Sequence, residues 1–119
     1  MKETTRARVA AVVGAAANKK KISSIYDYSA SCHRSISANI AHGKVEGYDY
    51  TTSTFFSGNS NNSLDFYDYG NSKHVNLKIN GEKFDGYDYD TQKHFCGTVN
   101  GKSISLYDYD TGKYYNYSI

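Results

Sequence analysis

Residues 87–109 read Tyr87-Asp88-Tyr89-Asp90-Thr91-Gln92-Lys93-His94-Phe95-Cys96-Gly97-Thr98-Val99-Asn100-Gly101-Lys102-Ser103-Ile104-Ser105-Leu106-Tyr107-Asp108-Tyr109. Two runs of alternating polarity flank Asn100-Gly101, and Asn-Gly between such runs is the strongest short hairpin signal. The stretch opens and closes on Tyr-Asp-Tyr. That tripeptide occurs five times, beginning at Tyr26, Tyr48, Tyr67, Tyr87 and Tyr107, at spacings of 22, 19, 20 and 20. Self-similarity at a fixed period marks a repeat architecture. Here the unit is a hairpin: one strand leads into the motif, a loop follows, a second strand returns, and a Gly turn closes the unit.

Further turns are read at His42-Gly43 and Asn80-Gly81, and four-residue loops at 51–54, 70–73, 90–93 and 110–113. The first hairpin carries two extra residues, placed in its loop at 29–33; the second is one residue short near 59–63. Five hairpins predict ten antiparallel strands in an up-and-down meander, a mainly β fold in one domain over residues 1–119. Alternation assigns the faces. One carries Ile25, Ile36, Ala38, Ile40, Val45, Phe56, Leu64, Phe66, Val75, Leu77, Ile79, Phe84, Phe95, Val99, Ile104, Leu106, Tyr115, Tyr117 and Ile119, with Gly47, Gly58, Gly86 and Gly97. The other carries Ser24, Glu46, Asp65, Asp85, Asn76, Lys78 and the motif tyrosines. That second face is wet, which excludes the apolar outer band of a membrane barrel.

A one-sided sheet must cover its apolar face. Residues 5–17 supply the cover: they are rich in Ala and Val and favour helix, and the stretch from Val9 to Ala17 is apolar on all sides. Thr4 or Thr5 is read as the helix cap and Asn18 with Lys19-Lys20-Lys21 as the stop. About eight strands already give a filled barrel, so ten leave room for this helix inside. The expected fold is a closed or strongly curved barrel around an N-terminal helix (1–21 with its basic link), the inward glycines giving room to bend and to let the helix approach. A competing reading takes residues 1–17 as a signal peptide, with Ala15-Ala16-Ala17 as the cleavage site. The first reading favours a cytoplasmic protein, the second an exported one. The stretch is too short to span a bilayer.

Parity turns the aspartate of each motif inward and its tyrosines outward. Asp27, Asp49, Asp68, Asp88 and Asp108 then form an inner rim that meets the helix N-terminus, Arg6 and Arg8. Such a rim is read as a structural cap; its functional alternative is a ring of carboxylates for a cation or small polyol. On the outer face Tyr50 is expected opposite Phe55, Tyr69 opposite His74, Tyr89 opposite His94 and Tyr109 opposite Tyr114. Tyr48, Tyr50, Tyr67, Tyr69, Tyr87, Tyr89, Tyr107 and Tyr109 are the candidate binding surface, since exposed tyrosines offer area and a hydroxyl at low entropic cost.

The formal charge of +2 is small for nucleic acid or an anionic membrane. No nucleophile elbow, P-loop, dinucleotide fingerprint or zinc spacing appears, so neither an enzyme nor a cofactor or metal protein is expected. His74 and His94 repeat two strands apart, roughly 10 Å, too far to share a metal. Cys32 and Cys96 form no motif, and Asn61-Asn62-Ser63 and Asn116-Tyr117-Ser118 are chance-level glycosylation matches in so Asn- and Ser-rich a chain. The 20-residue Gly- and Tyr-rich hairpins resemble the aromatic hairpin repeats of bacterial cell-wall-binding modules. Those rely on Trp and commonly build a solenoid, whereas this chain has no Trp and a buried face that suits a meander. The function expected is a non-enzymatic module that binds protein or glycan through tyrosine, or self-associates as a homo-oligomer. The alternative is a small-molecule- or cation-binding barrel.

Overall fold

The computed structural model describes residues 1–61 and 63–119; the Asn61-Asn62-Ser63 match includes Asn62, outside the described residues. Helix α1 (Glu3–Asn18) is followed by strands β1 (Ile25–Asp27), β2 (Cys32–Arg34), β3 (Ile36–Ala41), β4 (Lys44–Asp49), β5 (Thr54–Asn59), β6 (Phe66–Asp68), β7 (Lys73–Asn80), β8 (Lys83–Asp88), β9 (Lys93–Asn100), β10 (Ser103–Asp108) and β11 (Lys113–Ser118). All belong to one antiparallel meander sheet, nearly closed into a barrel. The first and last arms of the meander meet, with Tyr26 opposite Ser118 and Asp27 opposite Tyr117.

Eleven strands stand where ten were expected because one arm is broken. Strand β2 pairs only with β1, and β3 only with β4. Between them Ser35 still accepts the Tyr50 N–H at 2.9 Å, so the run from 32 to 41 is continuous backbone. On its other side the register slips by one residue: Ile25 faces Arg34, but Ile22 bridges to Ala38. A slip of this kind is a bulge, which bends a strand and helps a sheet close. The two extra residues therefore lie in this returning arm and not in the loop, since Asp27 pairs with Cys32 at the same five-residue separation as Asp88 with Lys93. The deficit in the second hairpin falls where expected: β5 and β6 stop pairing at Gly58 and Phe66.

The interior is the helix. Thr5 to Ala15 are buried on every side, and Ala7, Val9, Ala10, Ala11, Val12 and Val13 are inaccessible to solvent. Inward side chains of the strands, among them Ile25, Ile36, Phe56, Phe66, Leu77, Phe95 and Leu106, enclose it. The small side chains follow from the bore: a strand ring this size holds one helix only if its radius is kept low. A cut at Ala15-Ala16-Ala17, as the signal-peptide reading requires, would empty the barrel.

At the helix ends one expectation changes and one holds. Lys2, not a threonine, occupies the N-cap, with no side-chain cap bond, and Thr5 lies fully buried within the helix. The first turn is set among the rim carboxylates, whose charge complements the helix N-terminus in place of a cap. At the other end Asn18 Nδ2 donates to the carbonyls of Gly14 and Gly101 at 3.0 Å each, and Lys19 ends the helix in the left-handed region (φ 52°).

The inward glycines serve the sheet and not the helix. A Cβ on Gly47 would lie 2.1 Å from the Phe56 ring; Cβ atoms on Gly86 and Gly97 would lie 2.5 Å from the rings of Phe95 and Phe84. These are cross-strand partners: each ring lies over the glycine opposite it. At Gly86 and Gly97 a neighbouring carbonyl oxygen is closer still, at 1.9 and 2.0 Å. The difference yields an expected result. Gly47→Ala destabilises by about 1–3 kcal/mol through overpacking, and Phe56→Leu, which removes the obstructing ring, recovers most of that loss. Gly86→Ala is not recovered by Phe95→Leu, because the Asn76 carbonyl stays in place. Urea unfolding of the two double-variant cycles decides it; equal recovery at both sites would contradict the packing described.

Candidate functional site

The five motif aspartates line one end of the barrel interior and are at most 1 % exposed. Each is the last paired residue of its strand, and each uses one carboxylate oxygen to hold the loop that follows. Asp27 Oδ1 accepts from Ser29 N (3.0 Å), Ser29 Oγ (2.6 Å) and Ala30 N (3.2 Å). Asp49 Oδ1 accepts from Thr51 N (3.0 Å) and Oγ1 (2.5 Å), and Asp68 Oδ1 from Gly70 N (3.0 Å) and Asn71 N (3.2 Å). Asp88 Oδ1 accepts from Asp90 N (3.1 Å), and Asp108 Oδ1 from Asp110 N (2.9 Å). Aspartate bonding the N–H two residues on is an Asx turn, a local alternative to the ladder that starts the loop.

The second oxygen faces the barrel axis, and each of the five meets a cation there. Arg8 Nε donates to Asp49 Oδ2 at 3.0 Å, and its Nη1 donates to Asp68 Oδ2. Arg8 Nη2 reaches Thr52 Oγ1 (2.9 Å) and Thr54 Oγ1 (3.1 Å), so this 2 %-exposed guanidinium is bonded through all three nitrogens. Arg6 Nη1 bonds Asp108 Oδ2 at 3.3 Å and the Met1 carbonyl at 2.7 Å, with its guanidinium 3.8 Å over the Tyr115 ring. The Met1 amino group lies 3.1 Å from Asp108 Oδ2 and 3.8 Å from Asp88 Oδ2. Asp88 Oδ2 also accepts from Thr91 Oγ1 at 3.1 Å. Arg34 Nε donates to Asp27 Oδ2 at 2.8 Å while its Nη2 pairs with Glu3.

Arg34 has no part in the sequence reading. Its signal is position: seven residues after the motif aspartate stand Phe56, Val75, Phe95 and Tyr115, all inward, and in the first repeat Arg34. Placing the extra residues in the loop shifts that alignment and hides it.

With loop N–H groups on one oxygen and arginines or the Met1 amino group on the other, the rim acts as a clamp between helix and loops. No group of three or more His, Cys, Asp or Glu arranged to hold a metal occurs among the described residues.

Two rim carboxylates titrate in opposite senses. Burial pushes Asp27 up, but the Ser29 hydroxyl, Arg34 and the Ala30 N–H together outweigh it, and its pKa lies below the ordinary 3.8. At Asp88 burial dominates and the pKa lies above 3.8. A lowered folded pKa gives stability that is present above the unfolded value and lost as pH falls through the folded one; a raised pKa does the reverse. The stability cost of Asp27→Asn is therefore expected to grow as pH rises from 3 to 6, and that of Asp88→Asn to shrink. Denaturant midpoints across that range test the opposed slopes.

On the outside of the same barrel end lies a belt of aromatic clusters. The first tyrosine of each motif is flanked by the second and by the residue opposite it: Tyr26 by Tyr28 and His33, Tyr48 by Tyr50 and Phe55, Tyr67 by Tyr69 and His74, Tyr87 by Tyr89 and His94, Tyr107 by Tyr109 and Tyr114. All ten contacts are edge-on with centroids 4.6–4.9 Å apart. The expected register is thus off by two: Tyr48, Tyr67, Tyr87 and Tyr107 face Phe55, His74, His94 and Tyr114, and not Tyr50, Tyr69, Tyr89 and Tyr109. Because the aspartate is the last paired residue, the loop begins at the second tyrosine, one position earlier than read. The backbone N–H groups of Tyr50, Tyr69, Tyr89 and Tyr109 instead bond the carbonyls of Ser35, Phe55, His74 and His94 on the preceding arm. These second tyrosines are 52–60 % exposed, and Phe55 and Tyr114 more so.

The fold and the clamped rim define a repeat meander barrel filled by its own helix. No protein-family model matches this chain, and no curated protein or solved structure is significantly similar to it. No helix among the described residues is long and apolar enough to cross a membrane.

Proposed function

We propose that this protein is a non-enzymatic binding module that engages a protein or glycan through its aromatic belt. The observation that carries the reading is the exposure of five equivalent aromatic clusters on one rim. Edge-on pairs contribute about 0.5–1.5 kcal/mol each beyond their buried area; the second tyrosines share in them with one ring edge, while the first tyrosines are half-buried between two neighbours. Stability does not require the second tyrosine of every motif to stand more than half in solvent. Rigid rings with a hydroxyl at the tip suit a partner that offers both apolar faces and hydrogen-bonding groups, as sugars and peptides do. The repeat adds multivalency: several weak contacts on one rim reinforce each other when the partner is itself repetitive.

The small-molecule or cation reading of the inner rim has less support, since its carboxylate oxygens already hold loops, arginines and the Met1 amino group, and the lumen holds the helix. A glycan array and a pull-down with the intact protein test the proposal, with Tyr50→Ser, Tyr69→Ser, Tyr89→Ser and Tyr109→Ser combined as the comparison. Retention by a glycan or protein partner, lost in the combined variant while that variant is still folded at the assay temperature by circular dichroism, supports the belt. Unchanged retention in that variant removes it.

A further inference from the structure

The small net charge conceals a segregated one. In an up-and-down meander all Gly turns fall at one end and all motif loops at the other. The helix ends at the turn end, where Asn18 bonds Gly101. The topology therefore gathers Lys19, Lys20 and Lys21 from the link with Lys44, Lys83 and Lys102 from three turns. All six are exposed, and none forms an ion pair among the described residues. Among the described residues Glu82 is the acidic side chain in these turns, with Glu46 and Asp85 two residues further in from Lys44 and Lys83. The helix C-terminus adds about half a negative charge. Arg6, Arg8 and Arg34, by contrast, are committed to buried carboxylates at the loop end, and Lys78 stands opposite Asp85 midway along the barrel.

We infer that the turn end is a docking face for an anionic lipid surface. The shape selects this partner. The six lysines sit around the end of a barrel, so they meet a plane together, whereas a nucleic-acid duplex would touch only those along one line. Among the described residues the face carries no Phe, Tyr or Trp to stack on a base, His42 in the β3–β4 turn being its one ring, and no helix or ribbon to enter a groove. Lysines near an anionic leaflet each contribute about 1 kcal/mol, and the attraction falls off within a Debye length. The aromatic belt lies at the opposite end and stays free, so this inference stands apart from the function proposed above.

The test is co-sedimentation of the intact protein with phosphatidylcholine vesicles and with vesicles containing about one-third phosphatidylserine, in 0.1 M salt. Binding is expected to the second only, and to be lost at 0.5 M salt. Lys83→Gln with Lys102→Gln is expected to lower partitioning about thirtyfold, the equivalent of about 1 kcal/mol per lysine. Lys73→Gln with Lys93→Gln, an equal charge change at the loop end, leaves it unchanged. Equal binding to both vesicles, no binding to the anionic ones, equal losses in both double variants, or tighter binding to duplex DNA in the same buffer would each overturn the inference.

Discussion

Arg8→Met is expected to destabilise this protein by about 3–5 kcal/mol, the range for breaking a buried ion pair by removing one partner. The guanidinium joins Asp49 and Asp68 from two hairpins to the helix, and also holds Thr52 and Thr54. Its loss leaves two carboxylates inside the barrel without a cation and bound only by loop N–H and hydroxyl groups. Against a total stability of about 5–15 kcal/mol for a domain, that is a large share. Arg8→Lys recovers only part, because a point charge on a flexible stem cannot reproduce a fork that addresses two carboxylates at once. The triple variant Arg8→Met, Asp49→Asn, Asp68→Asn should be more stable than Arg8→Met alone, since the desolvated charges are then gone. Urea unfolding measures all three. If Arg8→Met unfolds within 1 kcal/mol of the parent, the clamp contributes little and the rim must be held by the loops alone.

Removal of the helix is the second and larger expected effect. A chain lacking residues 1–18 should show no cooperative unfolding transition. Three valines and four alanines of the helix are buried at 2 % exposure or less, together worth roughly 8 kcal/mol as an upper bound. The strands lose as well, because the inward faces of Phe56, Phe66, Phe95 and Leu106 become wet. A separate peptide of residues 1–18 added to the truncated chain should restore the transition in proportion to its concentration, as for any ligand that binds only the folded form. Calorimetry or near-ultraviolet circular dichroism of the truncated chain, with and without peptide, reads this directly. A truncated barrel that still melts cooperatively would show that the sheet stands without its plug.

Much of this was legible in the residues. Period-two alternation and the Asn-Gly turns are local, and they specify strands, faces and hairpins without reference to anything distant. The inward aspartate and outward tyrosines follow from the same parity, as does the apolar helix as the cover for a one-sided sheet. Arg6 and Arg8 at the rim follow from the short link that sends the first strand back along the helix.

Other features exist only through space. Which tyrosine faces Phe55 depends on where the ladder stops, and the Asp49 side chain, by capping its own loop, decides that. Arg8 bridges two particular hairpins because the helix has one rotation inside the ring, and no sequence period fixes that angle. The bulge at Ser35 and the phenylalanines lying on glycines answer to closure: a sheet must bend to meet itself, and the rings fill what the missing side chains leave. The lysines look scattered at 19–21, 44, 83 and 102, and a net charge of +2 gives them no prominence. Only the meander brings them to one end, because topology sets distance between charges and composition does not.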